Sequence, residues 1–221
     1  IDDRRQSGFL VPSIGTSSKS GSDVSIPYYW NISPNQDATI TSRLLGKRGY
    51  QMRNEYRYLH ENSRGILGLE YLPNDREFKD DRNFFYFKQN GKLSEYWSTS
   101  VNINSASDPS YLKDLGSSLS ITSASQLERR IDLQYTRRQW AVLTRIQNYQ
   151  PLVGVAESYQ RLPQVLLTGN FHSQKNPKLF YHTYAEAVQF EHDDNSKATG
   201  LRLDLKPGIS YRVFNHPGFY M

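Results

Sequence analysis

At 37% hydrophobic residues and a mean hydropathy of −0.71, this 221-residue chain is more polar than an ordinary soluble domain. Its 16 Tyr, 10 Phe and 3 Trp nevertheless exclude the aromatic-poor composition of a disordered chain. The formal charge of +5 is mild, and the basic doublets Arg129-Arg130 and Arg137-Arg138 sit in strand-like sequence without a basic helix, so no nucleic-acid partner is expected; with no Cys, disulfides, thiol catalysis and cysteine zinc sites are removed.

A chain that is polar on average, rich in Tyr and alternating in character fits an antiparallel transmembrane β-barrel with a wet lumen and aromatic girdles. A surface-exposed β-solenoid or a carbohydrate-binding sandwich shares that composition. No apolar run reaches the ~18 residues of a spanning helix. The chain opens at Ile1 and is expected to be a mature or excised piece of a longer protein.

Residues 1–6, IDDRRQ, read as a charged linker. Ser7 to Asp37 then holds two extended segments, each with a proline, Pro12 and Pro27. Proline has no N–H for a ladder and is confined in sheets to edges, strand starts and bulges, so the pair predicts a weakened sheet edge. Ser33-Pro34-Asn35 is a turn signal, and Asp37 to Leu45 is a strand ending in the tight loop Gly46-Lys47-Arg48-Gly49, where a glycine with positive φ is expected.

The next strand is the clearest. In YQMRNEYRYLHE, Tyr50, Met52, Tyr56 and Tyr58 share one face, and Arg53, Glu55, Arg57 and Glu61 share the other. Tyrosine suits a boundary between apolar and wet surroundings. The charged face then lines a lumen or forms a solvated exterior, and this strand alone leaves both readings open.

A glycine turn is expected at Asn62–Gly65, a strand over Ile66–Tyr71 and a loop over Asp75–Arg82. Asp80 and Asp81 lack the spacing of a calcium loop, and no metal is expected. A strand over Asn83–Gln89 leads to an Asn90-Gly91 hairpin turn and a strand through Leu93, Trp97, Val101 and Ile103. Ser105 to Gln126 reads as a long loop folded inward or over an opening. Strands follow over Arg130–Gln139, Trp140–Tyr149, Val165–Phe171 and Phe180–Phe190, and then Leu201, Leu203 and Leu205 alternate with charges. The total is about eleven strands, with no helical period.

Chemistry is absent from the pattern. The five histidines are scattered without ligand spacing, and no nucleophile elbow, phosphate loop or dinucleotide fingerprint occurs. No catalytic residue and no cofactor is expected, and the chain does not read as an enzyme.

Taken in order, SGFLVP, PYYWNISPNQDATIT, KRG, NEYRYL, YLPND, SDPSY and RLPQ resemble the LptD family, the outer-membrane lipopolysaccharide-assembly proteins also called organic solvent tolerance proteins. The likeness runs through the whole chain, and PYYWNISPNQDATIT is its most specific part. It implies that residues 7–221 are the first strands of a large barrel, with 1–6 leading from a periplasmic jelly-roll domain. It further implies transport of lipopolysaccharide to the outer leaflet through a lateral gate in the outer membrane of a Gram-negative bacterium. The implied partners are lipopolysaccharide, the plug lipoprotein LptE, and LptA through the periplasmic domain. Pro12 and Pro27 match the gate prolines. Arg53, Glu55, Arg57, Arg137 and Arg138 are candidate lumen charges, and the four arginines would meet lipid phosphates or the plug. A passive porin-like channel and a soluble carbohydrate-binding β-sandwich are the rival expectations.

Overall fold

The computed structural model describes residues 5–116 and 125–213. Thirteen antiparallel strands follow one another along one sheet path: β1 (Gly8–Phe9), β2 (Ser13–Ser17), β3 (Gly21–Ser33), β4 (Gln36–Leu45), β5 (Gly49–His60), β6 (Ser63–Leu72), β7 (Arg82–Lys92), β8 (Trp97–Ala106), β9 (Gln126–Arg137), β10 (Trp140–Pro151), β11 (Gln160–His172), β12 (Leu179–Glu191) and β13 (Gly200–Tyr211). Both β1 and β2 pair with β3, so they are two parts of one interrupted strand. That interruption accounts for one of the two strands beyond the expected eleven.

The chain forms two compact units. The first comprises Ile1–Gly91, Ser100–Arg130 and Tyr149–Ser158, and the second Lys92–Thr99, Ile131–Asn148 and Tyr159–Met221.

In the first unit, β3 to β7 keep a period of two, apart from one register shift between Asn31 and Ser33 at the end of β3. On one face lie Tyr28, Ile40, Met52, Leu69 and Phe85, with Tyr28 facing Ile40 and Leu69 facing Phe85, and on the other Asp37, Arg43, Gln51, Arg53, Glu70 and Phe84, with Arg43 facing Gln51 and Glu70 facing Arg53 and Phe84. Burial runs against the pattern of a water-soluble sheet. Asp37, Arg43 and Gln51 are buried, whereas Leu44 is 57% exposed and Leu69 48% exposed. The second unit repeats this over β11 to β13: Gln164 and Glu186 are buried, while Leu201, Leu203 and Leu205 are exposed on the opposite face.

Turn positions depart from expectation in two places. The Asn90-Gly91 pair lies inside β7, whose ladder with β6 runs to Gly91, and the connection to β8 falls at residues 93–96. Gly65 likewise lies inside β6, opposite Tyr58, whose ring occupies the space a Cβ would need. In both cases the cross-strand pairing outweighs the local turn preference. The expected Gly46–Gly49 loop is present, with Gly49 at φ +129°.

The segment expected as a loop from Ser105 to Gln126 contains a one-and-a-half-turn helix, α1 (Tyr111–Leu115); residues 117–124 of that segment lie outside the described residues, as do Ile1–Arg4 of the expected linker and His216. Tyr111, Leu112 and Leu115 are buried against Leu45, Leu72, Phe84, Ala106, Leu127 and Leu152. A buried Leu contributes roughly 1.5–3 kcal/mol relative to an exposed one. The core of the first unit is therefore a small apolar plug between α1 and the far ends of the strands, not the face of the sheet.

Candidate functional site

Two structures stand out in the first unit: the junction of β1, β2 and β3, and the polar face of β3 to β7 beneath α1.

At the junction, Phe9 pairs with Tyr28 and Ser13 with Ser25. Three residues, Leu10 to Pro12, thus stand opposite two, Ile26 and Pro27, which is a one-residue bulge. The Leu10 N–H donates to the Pro27 carbonyl at 2.9 Å. In an antiparallel ladder such a pair exchanges two bonds. Pro27 has no N–H to return, so the bond it withholds is subtracted from the seam with β1 and β2, not from its ladder with β4, where it faces Thr41. Pro12 lies within the same break. Phe9, Val11 and Ile14 are 76%, 89% and 82% exposed, so little packing offsets the missing bond. The structure brings the two prolines to one interruption.

The polar face is a chain of paired charges. Arg57 Nε donates to Asp37 at 2.7 Å, and Arg53 Nε to Glu70 at 3.2 Å. The Tyr86 hydroxyl donates to Glu55 at 2.7 Å from two strands away, its ring lying flat across Gly68, where any Cβ would collide with it. Arg53, Glu55 and Arg57 are therefore together on this face, as their alternation along β5 predicts.

Arg137 and Arg138 are placed differently. Arg137 ends β9 and continues the alternation of Ile131, Leu133 and Tyr135, and its guanidinium lies 5.1 Å from the centre of the Tyr96 ring. Arg138 is in the two-residue β9–β10 turn at φ +50°. Neither joins the polar face, because a period of two gives that face to Asp132 and its partner Arg145.

Beneath α1 the polar face becomes a buried ionic cluster. Arg82, fully buried, donates from Nε and Nη2 to Asp108 at 2.9 and 2.8 Å, and from Nη1 to Asp75 and Asp114 at 3.2 Å each. Arg48 donates to Asp75 at 2.6 Å, and Arg43 to the Leu115 carbonyl at 3.0 Å, satisfying an acceptor left free at the helix end. Burial alone would raise the Asp75 carboxyl, but the Glu77 N–H, Arg48 and Arg82 overrule it and hold Asp75 below the usual carboxylate range. Asp108 follows the same logic: burial raises it, and Arg82 and Ser110 bring it lower. Burial, with the Glu70 charge beside it, pushes the Tyr111 hydroxyl well up, and the hydroxyl donates a hydrogen bond to Glu70 at 3.0 Å.

Sequence reading missed this cluster. The one available signal is Asp108-Pro109-Ser110, a turn before an apolar triplet, in which Asp108 accepts the Ser110 N–H at 2.9 Å. Asp81, considered above for metal, instead accepts the Tyr71 hydroxyl at 2.7 Å and the Asn74 N–H at 2.8 Å. Among the described residues no cluster could hold a metal ion.

Comparison with known proteins places this arrangement. Residues 80–221 match the family profile LptD, LPS transport system D. The chain belongs to the LptD family. Among curated members, it is 41% identical over its full length to the LPS-assembly protein LptD of Nitrosococcus oceani, covering 30% of that protein. It is 39% identical over 99% of its length to the LptD of Aromatoleum aromaticum, and 36% identical over 100% of it to that of Ralstonia nicotianae, covering 27% of each. The chain thus spans less than a third of the length of the LptD relatives it matches.

Proposed function

We propose that this chain is part of the wall of an outer-membrane barrel that transports lipopolysaccharide and assembles it in the outer leaflet. Residues 7–221 supply its first strands and residues 1–6 the link to a periplasmic domain. The observation that carries the reading is the inverted burial within each unit: Asp37 and Arg43 are shielded while Leu44 and Leu69 are bare, and Gln164 and Glu186 are shielded while Leu203 and Leu205 are bare. A water-soluble sandwich buries the opposite face; a barrel in lipid requires this one.

The LptD relatives are named for lipopolysaccharide assembly, and the reading extends that role to the whole protein containing this chain. The proline junction serves as the gate. A seam lacking a donor and exposed along Phe9, Val11 and Ile14 opens at lower cost than a full ladder, by roughly 0.5–1.5 kcal/mol per missing bond. The polar face with Arg53, Glu55 and Arg57 is the lumen wall, meeting lipid phosphates or the plug lipoprotein LptE, and the periplasmic domain would receive cargo from LptA. The α1 segment narrows the lumen at the end with the longer loops, the extracellular end of such barrels. The role is transport, with no catalytic step.

The test is transport by the full-length protein with Pro12 and Pro27 both replaced by alanine. Surface arrival of newly made lipopolysaccharide should slow; an unchanged rate would remove the gate assignment.

A further inference from the structure

The second unit carries a feature that the transport role does not use. At the short β9–β10 turn, a groove of about 630 Å³ on the apolar face is lined by Tyr135, Arg137, Arg138, Trp140, Val142 and Leu167. Trp140 opens β10 directly opposite Gly169, over whose bare backbone its ring packs edge-on against that of Phe171 with ring centres 4.4 Å apart. Val142 faces Leu167 one rung further along, about 7 Å into the apolar face. Tyr135 packs on Trp97 at 5.0 Å. The turn is fixed because the Asn170 N–H donates to the Gln139 carbonyl at 3.0 Å.

The two arginines differ from those on the polar face of the same unit. Arg145 is held by Asp132 at 2.7 Å and Arg202 by Glu186 at 2.9 Å. Among the described residues, neither Arg137 nor Arg138 has a carboxylate within ion-pair distance. Arg137 is oriented by the Tyr96 ring alone. Two adjacent cations without counter-charge, above a Trp and a Val–Leu floor, form a graded surface: charged at the turn, amphipathic at Trp140, and apolar beyond.

We propose that this groove binds an anionic membrane glycerophospholipid, with Arg137 and Arg138 on its phosphodiester, Trp140 beside the glycerol and ester region, and an acyl chain along Val142 and Leu167. The chemistry matches at each level. Guanidinium groups bond phosphate oxygens in pairs, tryptophan favours the headgroup boundary, and a short hairpin turn marks the periplasmic end of a barrel, where the lipid would come from the inner leaflet. The inference takes the chain as a membrane-spanning wall and adds a fixed lipid to it.

The experiment is native mass spectrometry of the full-length protein from detergent, titrated with phosphatidylglycerol or phosphatidylcholine. The wild type should retain phosphatidylglycerol preferentially, and Arg137→Gln with Arg138→Gln should lower that retention, by about five-fold per arginine. Arg138→Gln alone, at a turn side chain with no ion pair to lose, should lower it part-way, which keeps the test decisive if the double variant fails to assemble. Water-soluble glycerophosphate in excess should not displace the lipid; displacement would mark a free-phosphate site. Equal retention of both lipids, or unchanged retention in Arg138→Gln, overturns the inference while leaving the barrel reading intact. Full solubility of the protein without detergent overturns both.

Discussion

Arg82 and Asp108 form a two-pronged ion pair, Nε to Oδ2 at 2.9 Å and Nη2 to Oδ1 at 2.8 Å, and through it the first residue of β7 holds the segment carrying α1. The pair is shielded at both ends, with side-chain exposures of 0% and 9%. Removing the cation would leave Asp108 buried without its guanidinium and Asp75 with Arg48 alone, a cost of about 3–5 kcal/mol for a broken buried pair. Arg82→Met should therefore release α1 from the strand ends. Amide hydrogen exchange of Tyr111 to Leu115 should rise strongly while exchange in β5 stays slow. Unchanged protection of α1 would show that Leu112 and Leu115 hold it without the charges.

The same cluster predicts a pH dependence. Asp75 and Asp108 have carboxyls held below their ordinary value of 3.8 in the folded state. A depressed folded pKa contributes stability that is complete above the unfolded pKa and is lost as pH falls through the folded one. Protection of α1 should be flat from neutral pH down to about 5 and decline below about 4, with Arg82, where burial is overruled by the acidic neighbours that raise its pKa, remaining charged throughout. Exchange followed against pH, corrected for its intrinsic rate, checks this. A loss centred near pH 6 would point to histidine and contradict the assignment.

The period of two was legible wherever cross-strand pairing and side-chain type agreed. Tyr50, Met52, Tyr56 and Tyr58 share one face of β5, and Leu201, Leu203 and Leu205 one face of β13, as their alternation requires. What escaped was non-local. Arg82 finds Asp108 and Asp114 at separations of 26 and 32 residues, and no local pattern couples them. The helix α1 has five residues, fewer than two turns, too few to establish a helical period. Arg137 and Arg138 read as lumen charges, but Arg137 continues the apolar alternation of β9 and Arg138 lies in the β9–β10 turn, so both reach the groove on the apolar face. The prolines were legible as an edge feature; that they meet in one bulge follows only from the register.

Gly68 and Tyr86 give a prediction about the polar face. The Tyr86 ring lies across Gly68 to reach Glu55, so Gly68→Val must displace the ring and break a bond to a charged acceptor. Hydrogen bonds to charged groups contribute about 1.5–3 kcal/mol. Tyr86→Phe removes the bond while keeping the ring. In a double-mutant cycle with Glu55→Gln, Tyr86→Phe should show coupling of about 1 kcal/mol or more in the denaturant midpoint of the folded protein in micelles. Additive effects would mean that the hydroxyl and carboxylate act independently.

The last prediction separates the two prolines. Pro27 withholds its bond from Leu10, so Pro27→Ala restores a donor facing the Leu10 carbonyl without touching the ladder to β4. The added bond should be worth about 0.5–1.5 kcal/mol, slowing exchange of the Leu10 amide by roughly two- to twelve-fold. Pro12 sits in the bulge itself, where three residues face two, and an N–H supplied there has no register partner on β3. Pro12→Ala should leave the Leu10 amide nearly unchanged and act by loosening the bulge. If transport by the full-length protein follows Leu10 exchange across the two variants, the strength of the seam sets the rate of opening. If Pro12→Ala slows transport as much as Pro27→Ala while Leu10 exchange is unaltered, the bulge geometry controls the gate and the missing hydrogen bond does not.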